Sequence, residues 1–480
     1  MRKRFLYLFA GSWFIYLAFL APGIYSIDGW SMLAVANSMV TRHDVTVPAG
    51  LGVPGRNGAI YSIWYPLQSI LAVPPVALAV KASALLHLPS HYVESLAALT
   101  LPILYTALTV PLVYLLAIAL KSSAEGAWVA ALTYGFGTIA MAYTRDFYAD
   151  PLLAMLMALG LLLAFTERPP WIILCVSARA ILAKPTGIIL GPVLSMYLLC
   201  KTRRFWPSVL PTLGAILGTL LFFAYNFYRF ENFRNFGQSW TFSMRFVPEG
   251  LAGLPVSPGG GLLWYCPCVI LSFLSVWKIK NPRLEVWTIA ALAVSSLTLH
   301  SLWAAWSGGS SWGPHLLLPI LPGLVALTGT LKFGGRKLLI TAAVLGFLLN
   351  APTLFSSFKR YISEAGEQGI TLSTLMWEPS RSPLIHAWPA AFRQVQDARR
   401  LSVRDLLAQR GELPATKISS SRALRIVSVW WWLLPIVHVS RVWGLLASAL
   451  LVALGIRFIF LARSPLIEQT SSVLAPAAEN

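Results

Sequence analysis

The chain has 480 residues, 57% of them hydrophobic and only 11% charged, with a mean hydropathy of +0.67. Soluble globular chains carry roughly 25% charged residues, so a water-soluble domain is excluded for most of the length. The balance of 37 Lys and Arg against 18 Asp and Glu gives a net charge of +19. These basic residues fall mainly in short loops and one long polar segment, without the aromatic interleaving of a nucleic-acid module. The charge therefore reads as topology signal and anionic-lipid contact, not nucleic-acid binding.

In chain order, the candidate apolar segments are 5–24, 64–86, 96–119, 124–143, 151–166, 171–183 and 185–200, then 207–226, 260–277, 284–302, 315–331, 338–356 and 441–461. Most approach the roughly 20 residues that cross a bilayer as a helix, which predicts an all-α polytopic membrane protein. The 19 Trp suit interfacial belts. Met1-Arg2-Lys3-Arg4 ahead of an apolar run without an Ala-x-Ala site reads as a retained signal anchor with a cytoplasmic N-terminus. Cys175, Cys200, Cys266 and Cys268 lie in or at the ends of apolar runs, with no metal-ligand spacing, so neither a structural disulfide nor zinc is expected.

Charge sets the topology. Lys201-Thr202-Arg203-Arg204, Lys278 with Lys280 and Arg283, and Lys332 with Arg336-Lys337 are short basic loops, placed in the cytoplasm with the N-terminus. Seven apolar candidates separate Arg4 from Lys201, yet an even number must cross. The segment 64–86 is set aside as an outer juxtamembrane element, because it carries Pro74-Pro75 and Lys81. Alternation then gives about twelve spans. Segments 25–95, 144–150, the vicinity of Lys184, 227–259, 303–314 and 357–429 face outward. The expected organisation is a transmembrane domain over 1–356, an extracytoplasmic segment over 357–429, a last span within 430–463 and a loose tail over 464–480. Gln394 to Gln409 reads as a surface helix, and Trp430-Trp431-Trp432 as an interfacial anchor.

The acids near the membrane all fall on the outer side: Asp28, Asp44, Asp146 and Asp150. A partly desolvated carboxylate has a raised pKa and can serve as a general base toward a hydroxyl. Asp28 also reads as the N-cap of a helix beginning Gly29-Trp30-Ser31. Asp150-Pro151 likewise reads as a helix start, and which of Asp146 and Asp150 faces a site stays open. Asn57-Gly58 is a tight-turn signal that brings Arg56 and Tyr61 back to the membrane surface. Arg56 offers a fork of donors suited to phosphate, and also fits an ordinary interfacial Arg. Lys184 is a candidate phosphate ligand or a snorkelling lysine. In Trp303 to His315, Gly308-Gly309 permit close backbone approach, and Trp303, Trp306 and Trp312 offer stacking faces for a sugar ring or an acyl chain.

Several motifs in order resemble the GT-C superfamily of membrane glycosyltransferases, in particular the bacterial protein-mannosyltransferase-like and aminoarabinose-transferase-like group. They are Asp28-Gly29 after the first span, with Ala34 and Ser38 beyond it; Gly58-Ala59-Ile60-Tyr61-Ser62 leading to Tyr65-Pro66-Leu67-Gln68-Ser69; Asp146 or Asp150 after the third span; Leu262-Leu263-Trp264-Tyr265-Cys266-Pro267; and Trp306-Ser307-Gly308-Gly309-Ser310-Ser311-Trp312-Gly313-Pro314-His315. The set covers roughly residues 1–330. The resemblance implies a transmembrane helix bundle with juxtamembrane helices in the first loop. It also implies a sugar donor on a polyprenyl phosphate, transfer at the outer face of the cell membrane, and Asp28 as the catalytic base or as the residue that holds the acceptor. Asp146 or Asp150 would orient the acceptor, a lipid, glycan or protein. Arg56, Tyr61, Lys184, Trp306 and His315 would line the donor and carrier sites. The family often has an acidic pair where this chain has Asp28-Gly29, and Arg where it has His315. No obligatory metal is expected, since Asp28 has no carboxylate partner nearby in sequence. The rival readings are a transporter or flippase of a lipid-linked substrate, and an inactive relative acting as an assembly partner. Transporters tend to place their sites at the bilayer midplane in repeated halves. Outer-face acids and the lack of an internal repeat favour the enzyme.

Overall fold

The computed structural model describes residues 1–88, 90–238, 241–278, 283–400 and 429–463. Every apolar segment named above is helical. In chain order the first helices are α1 (Arg2–Ala18), α2 (Ile27–Thr41), α3 (Pro66–Leu86), α4 (Ser90–Ala119), α5 (Ala124–Phe136), α6 (Asp150–Phe165), α7 (Pro170–Ala183), α8 (Leu190–Thr202) and α9 (Phe205–Phe230). Then follow α10 (Val247–Val256), α11 (Leu262–Tyr265), α12 (Cys268–Lys278), α13 (Leu284–Ser301), α14 (Leu321–Thr328), α15 (Phe333–Asn350) and α16 (Pro352–Phe355). The last are α17 (Lys359–Glu367), α18 (Leu372–Trp377), α19 (Pro383–Arg400) and α20 (Arg441–Arg463). The chain is thus an all-α polytopic membrane protein. The one sheet among the described residues is a two-stranded antiparallel ribbon, β1 (Val53–Pro54) with β2 (Ile60–Tyr61). Asn57 and Gly58 turn it with φ of 56° and 72°, as the Asn-Gly pair predicts.

Helix α4 is the post around which the bundle stands. It is apolar on all sides, and 78% of its most hydrophobic window is buried, against 22% for α20 at the periphery. Helices α1, α3, α5, α6 and α14 pack around it. A helix apolar all round belongs inside a large protein or in a membrane. On α20, Leu446, Leu450 and Phe460 point away from the protein, as lipid-facing residues do. Close helix crossings use glycine. A Cβ on Gly455 of α20 would lie 2.7 Å from the Gly11 carbonyl oxygen of α1. On α9, a Cβ on Gly214 or Gly218 would meet the Leu174 or Ala178 carbonyl oxygen of α7 at 2.2 and 2.5 Å. Small residues at such crossings let backbones approach where no hydrophobic drive separates helix from lipid.

Several of the expected continuous segments are broken. Segment 124–143 becomes α5 followed by a 3-10 stretch, Ile139–Arg145. Segment 185–200 opens as a 3-10 turn, Pro185–Ile189, and 315–331 opens as His315–Ile320. Prolines 185, 314 and 319 sit at or near two of these breaks, as a ring without an N–H requires. Irregular backbone at membrane depth is tolerated where it is buried in protein or lines a cavity. The element 64–86, expected at the outer interface, is a single helix, α3, of 21 residues. Its length and hydropathy match those of a span, despite Pro74 and Pro75. It is one of six described helices with that property. The shorter helix α2 lies in the first loop, where a juxtamembrane helix is expected. Part of the expected 394–409 helix falls in α19; its remainder, and the 471–480 tail, lie outside the described residues. Trp430–Val437 form a 3-10 stretch just ahead of α20.

The α1–α20 crossing yields a test. Gly455→Leu should destabilise the protein by roughly 1–3 kcal/mol through overpacking, seen as a lower unfolding midpoint in detergent. Leu450→Ala, on the outward face, should leave the midpoint nearly unchanged.

Candidate active site

The site begins at the N-terminus of α2. Ser26 has extended backbone angles, and its Oγ accepts from Gly29 N at 3.0 Å. Ser26 is therefore the cap, and the alternative reading of Asp28 as the cap is overturned. The Ser26 hydroxyl also donates to Asp146 Oδ1 at 3.0 Å. Asp28 sits in the first turn beyond this cap, half-buried. No hydrogen bond or ion pair among the described residues engages its carboxylate.

Gly29 has a steric reason to stand where an acid is often found. A Cβ there would lie 2.6 Å from Ile24 Cγ2 and 3.1 Å from Phe147 Cβ, so no second carboxylate fits beside Asp28.

Asp28 lines a cleft of about 120 Å³ together with Asp150, Lys184 and His315. Trp64, Tyr65, Tyr148 and Trp303 supply an aromatic wall, and Met32, Leu299 and Leu316 an apolar one. Asp150 lies in the first turn of α6 but makes no side-chain cap. It instead accepts from Lys184 Nζ at 2.7 Å, with both side chains largely buried. Lys184 ends α7 in extended backbone, at the break before Pro185–Ile189, and its ammonium keeps further donors free for a ligand.

Asp146 plays a different part. It is fully buried and does not line the cleft. Its Oδ1 accepts from Tyr25 N at 3.2 Å, from Ser26 Oγ and from Phe147 N at 2.8 Å. Beside it, Arg145 donates to the Phe19 carbonyl and to Tyr25 Oη. Asp146 and Arg145 thus tie the end of α1 and the start of α2 to the turn before α6. Of Asp146 and Asp150, Asp150 is the one on the cleft.

His315 packs on Tyr143, with ring centroids 5.8 Å apart. Gly308, at φ 72°, lies against that ring. A Cβ there would come 2.3 Å from His315 Cε1, so only glycine fits. Trp312 is buried, donating to Asn350 Oδ1 at 2.7 Å and receiving Tyr143 Oη on its backbone carbonyl. Three expected ligands lie away from the cleft. Arg56 pairs with Glu231 at 3.3 Å near the Tyr228 ring. Tyr61 packs edge-on to Tyr228 and Phe230. Trp306 is buried against Gly253 and Trp377.

Sequence reasoning passed over three residues. Arg229 is buried at the end of α9 and donates to the carbonyls of Ser62 and Trp64 and to Asn226 Oδ1. This clamp holds Trp64 and Tyr65 in the cleft wall. An arginine at the end of an apolar run was the available signal. Lys359 places its ammonium 6.0 Å from the Tyr148 ring centre. His300 lines the cleft from the last turn of α13. Among the described residues, no group of three or more His, Cys, Asp or Glu is arranged to hold a metal ion. All four cysteines are free.

Burial pushes the Asp28 carboxyl up to about 6; Asp146 and Asp150 add to the rise, while Lys359 and Lys184 oppose it. Asp146 is also raised by burial, against the pull of Lys359 and of its three hydrogen-bond donors.

The fold is similar to that of a solved membrane protein, ArnT. The crystal structure of ArnT from Cupriavidus metallidurans in the apo state superimposes with a TM-score of 0.50 at 15% identity, covering 93% of this chain and 75% of that one. The structure of the same protein bound to undecaprenyl phosphate gives 0.49 at 16% identity, covering 95% and 77%. No protein-family model and no curated protein matches the chain.

Capping and catalysis separate in a stability measurement. Ser26→Ala should cost about 1 kcal/mol as a lost cap, and more if Asp146 loses its donor. Asp28→Asn should not. A carboxyl whose folded pKa is raised opposes folding when ionised, fully above about pH 6 and not at all below its ordinary 3.8. Unfolding midpoints at pH 7.5 should therefore be equal or higher for Asp28→Asn than for the parent, with the difference vanishing near the acid end.

Proposed function

We propose that this protein is a membrane glycosyltransferase that moves a sugar from a polyprenyl-phosphate carrier to an acceptor at the extracytoplasmic face of the cell membrane. The observation that carries the reading is the unpartnered Asp28 carboxylate on a cleft wall shared with Lys184. The two groups suit opposite ends of a displacement. Asp28 removes the proton from the acceptor hydroxyl as that oxygen attacks the anomeric carbon. The bond from that carbon to the carrier's phosphate oxygen breaks, and its electron pair leaves with the phosphate. Lys184, held by Asp150, meets the charge that develops there. Attack from the side opposite the leaving group inverts the anomeric centre.

The character of the cleft wall supports the reading. Its mixed lining suits the substrate: aromatic faces stack on a sugar ring, and Met32, Leu299 and Leu316 suit the first units of a prenyl chain. With Asp150 on the cleft and Asp146 behind it, Asp150 has a positioning role through Lys184, and Asp146 orders the first loop. Arg56, Tyr61 and Trp306 are given no part in the chemistry. The N-terminus is assigned to the cytoplasm by its basic run, which leaves the α2 end of the bundle outside.

The test is release of labelled sugar from a polyprenyl-phosphate donor by the purified protein in lipid vesicles, followed against pH. The rate should fall about tenfold per unit below pH 6, as the base form of Asp28 is lost, and level off above it. A flat profile down to pH 4 would remove Asp28 as the base. The double variant Lys184→Met/Asp150→Asn, which leaves no lone buried charge, should keep the fold and lose roughly a hundredfold in kcat.

A further inference from the structure

The proposed steps give no task to His300, although it shares the cleft with Asp28 and Lys184. It is 3% exposed, in the last turn of α13. Its Nδ1 lies 2.8 Å from the Ser296 carbonyl oxygen, one turn back. A carbonyl oxygen only accepts, so Nδ1 carries the proton. The Ser296 hydroxyl is 3.3 Å from the same nitrogen and adds no second demand on the ring. No carboxylate bonds to His300 among the described residues, and a buried imidazole without one stays neutral. Nε2 is then a lone-pair acceptor, set in place by the helix's own backbone.

Among the described residues that acceptor has no partner, and it is buried. Buried polar atoms are nearly always paired, so an orphan on a cleft wall calls for a donor from outside the chain. The proposed substrate narrows the choice. Its phosphate is ionised and brings only acceptors. Its prenyl chain brings neither donor nor acceptor. Within the donor only the sugar ring carries O–H groups, and the acceptor's reacting hydroxyl is directed at Asp28. Trp303, three residues beyond His300, and Trp64 line the same cleft and present faces on which such a ring stacks.

We infer that His300 Nε2 accepts a hydrogen bond from a hydroxyl of the transferred sugar, making His300 a specificity-determining residue that reads the sugar rather than the carrier. The inference rests on the donor class proposed above. A site built to pair a hydroxyl discriminates strongly against an analogue lacking it, because the buried partner is then left unmet.

Binding tests this without turnover. The purified full-length protein is titrated by tryptophan fluorescence with bare decaprenyl phosphate, with a panel of decaprenyl-phosphate pentoses and hexoses, and with the single-deoxy analogues of the tightest binder. The parent should bind one glycosylated carrier more tightly than the bare one, and one deoxy analogue should lose about tenfold. His300→Phe should erase that selectivity while binding bare decaprenyl phosphate unchanged, which also certifies its fold. His300→Gln, which restores an acceptor, should recover part of it. If His300→Phe weakens bare and glycosylated carriers alike, or leaves deoxy selectivity intact, the assignment is overturned. A parent that binds bare carrier but gains nothing from any sugar overturns this inference alone. A parent that binds no carrier at all overturns the proposed function as well.

Discussion

The contact between Ser26 and Asp146 is the point on which the site depends. One hydroxyl accepts from the backbone of α2 and donates to a buried carboxylate before α6, joining two loops 120 residues apart. Because Ser26 takes the capping duty, Asp28 two residues later is left without a hydrogen-bond partner among the described residues. Because Asp146 spends its Oδ1 on Tyr25, Ser26 and Phe147, it orders the loop instead of facing the cleft. Two carboxylates thus acquire different work through their surroundings. The outcome is an acid held at a partly desolvated wall, where burial raises its proton affinity into the range useful to a base.

The rest of the bundle serves that arrangement. Helix α4 supplies the packed centre. Breaks in otherwise apolar segments bring Lys184 and His315 to the cleft, since a residue at a helix end can point along the axis, where one in mid-helix cannot. The Arg229 clamp on the Ser62 and Trp64 carbonyls fixes the aromatic wall. The glycine at position 308 lets the late loop lie against His315. Each device meets backbone polar groups or close approaches inside the protein, as the absence of water in a bilayer demands.

Much of this was legible in the sequence. Apolar runs located the long helices of the bundle, while α2, α10 and α17 to α19 lay outside them, and the ordered motifs pointed to the GT-C fold. Asp28, Asp150, Lys184 and His315, scattered over nearly 300 residues, do share one cleft. Other features were not readable, for physical reasons. Proximity in sequence to Asn57-Gly58 suggested Arg56 and Tyr61, but the ribbon folds them toward Glu231, Tyr228 and Phe230. Spacing allowed Asp28 to be a cap, and only backbone angles show that Ser26 holds that position. Pro74-Pro75 and Lys81 set 64–86 aside from the spans, and the structure shows that α3 runs as one helix through both prolines. Lys359 and His300 carried no motif. Their relevance comes from tertiary placement beside Tyr148 and on the cleft wall.

The most direct measurement is transfer of labelled sugar from a polyprenyl-phosphate donor by Asp28→Asn, compared with the parent in the same vesicles at pH 7.5. The amide keeps the shape and removes the base. The account predicts a loss of roughly a thousandfold in kcat, within the range of general-base contributions, with donor binding retained. Transfer at the parental rate would contradict it.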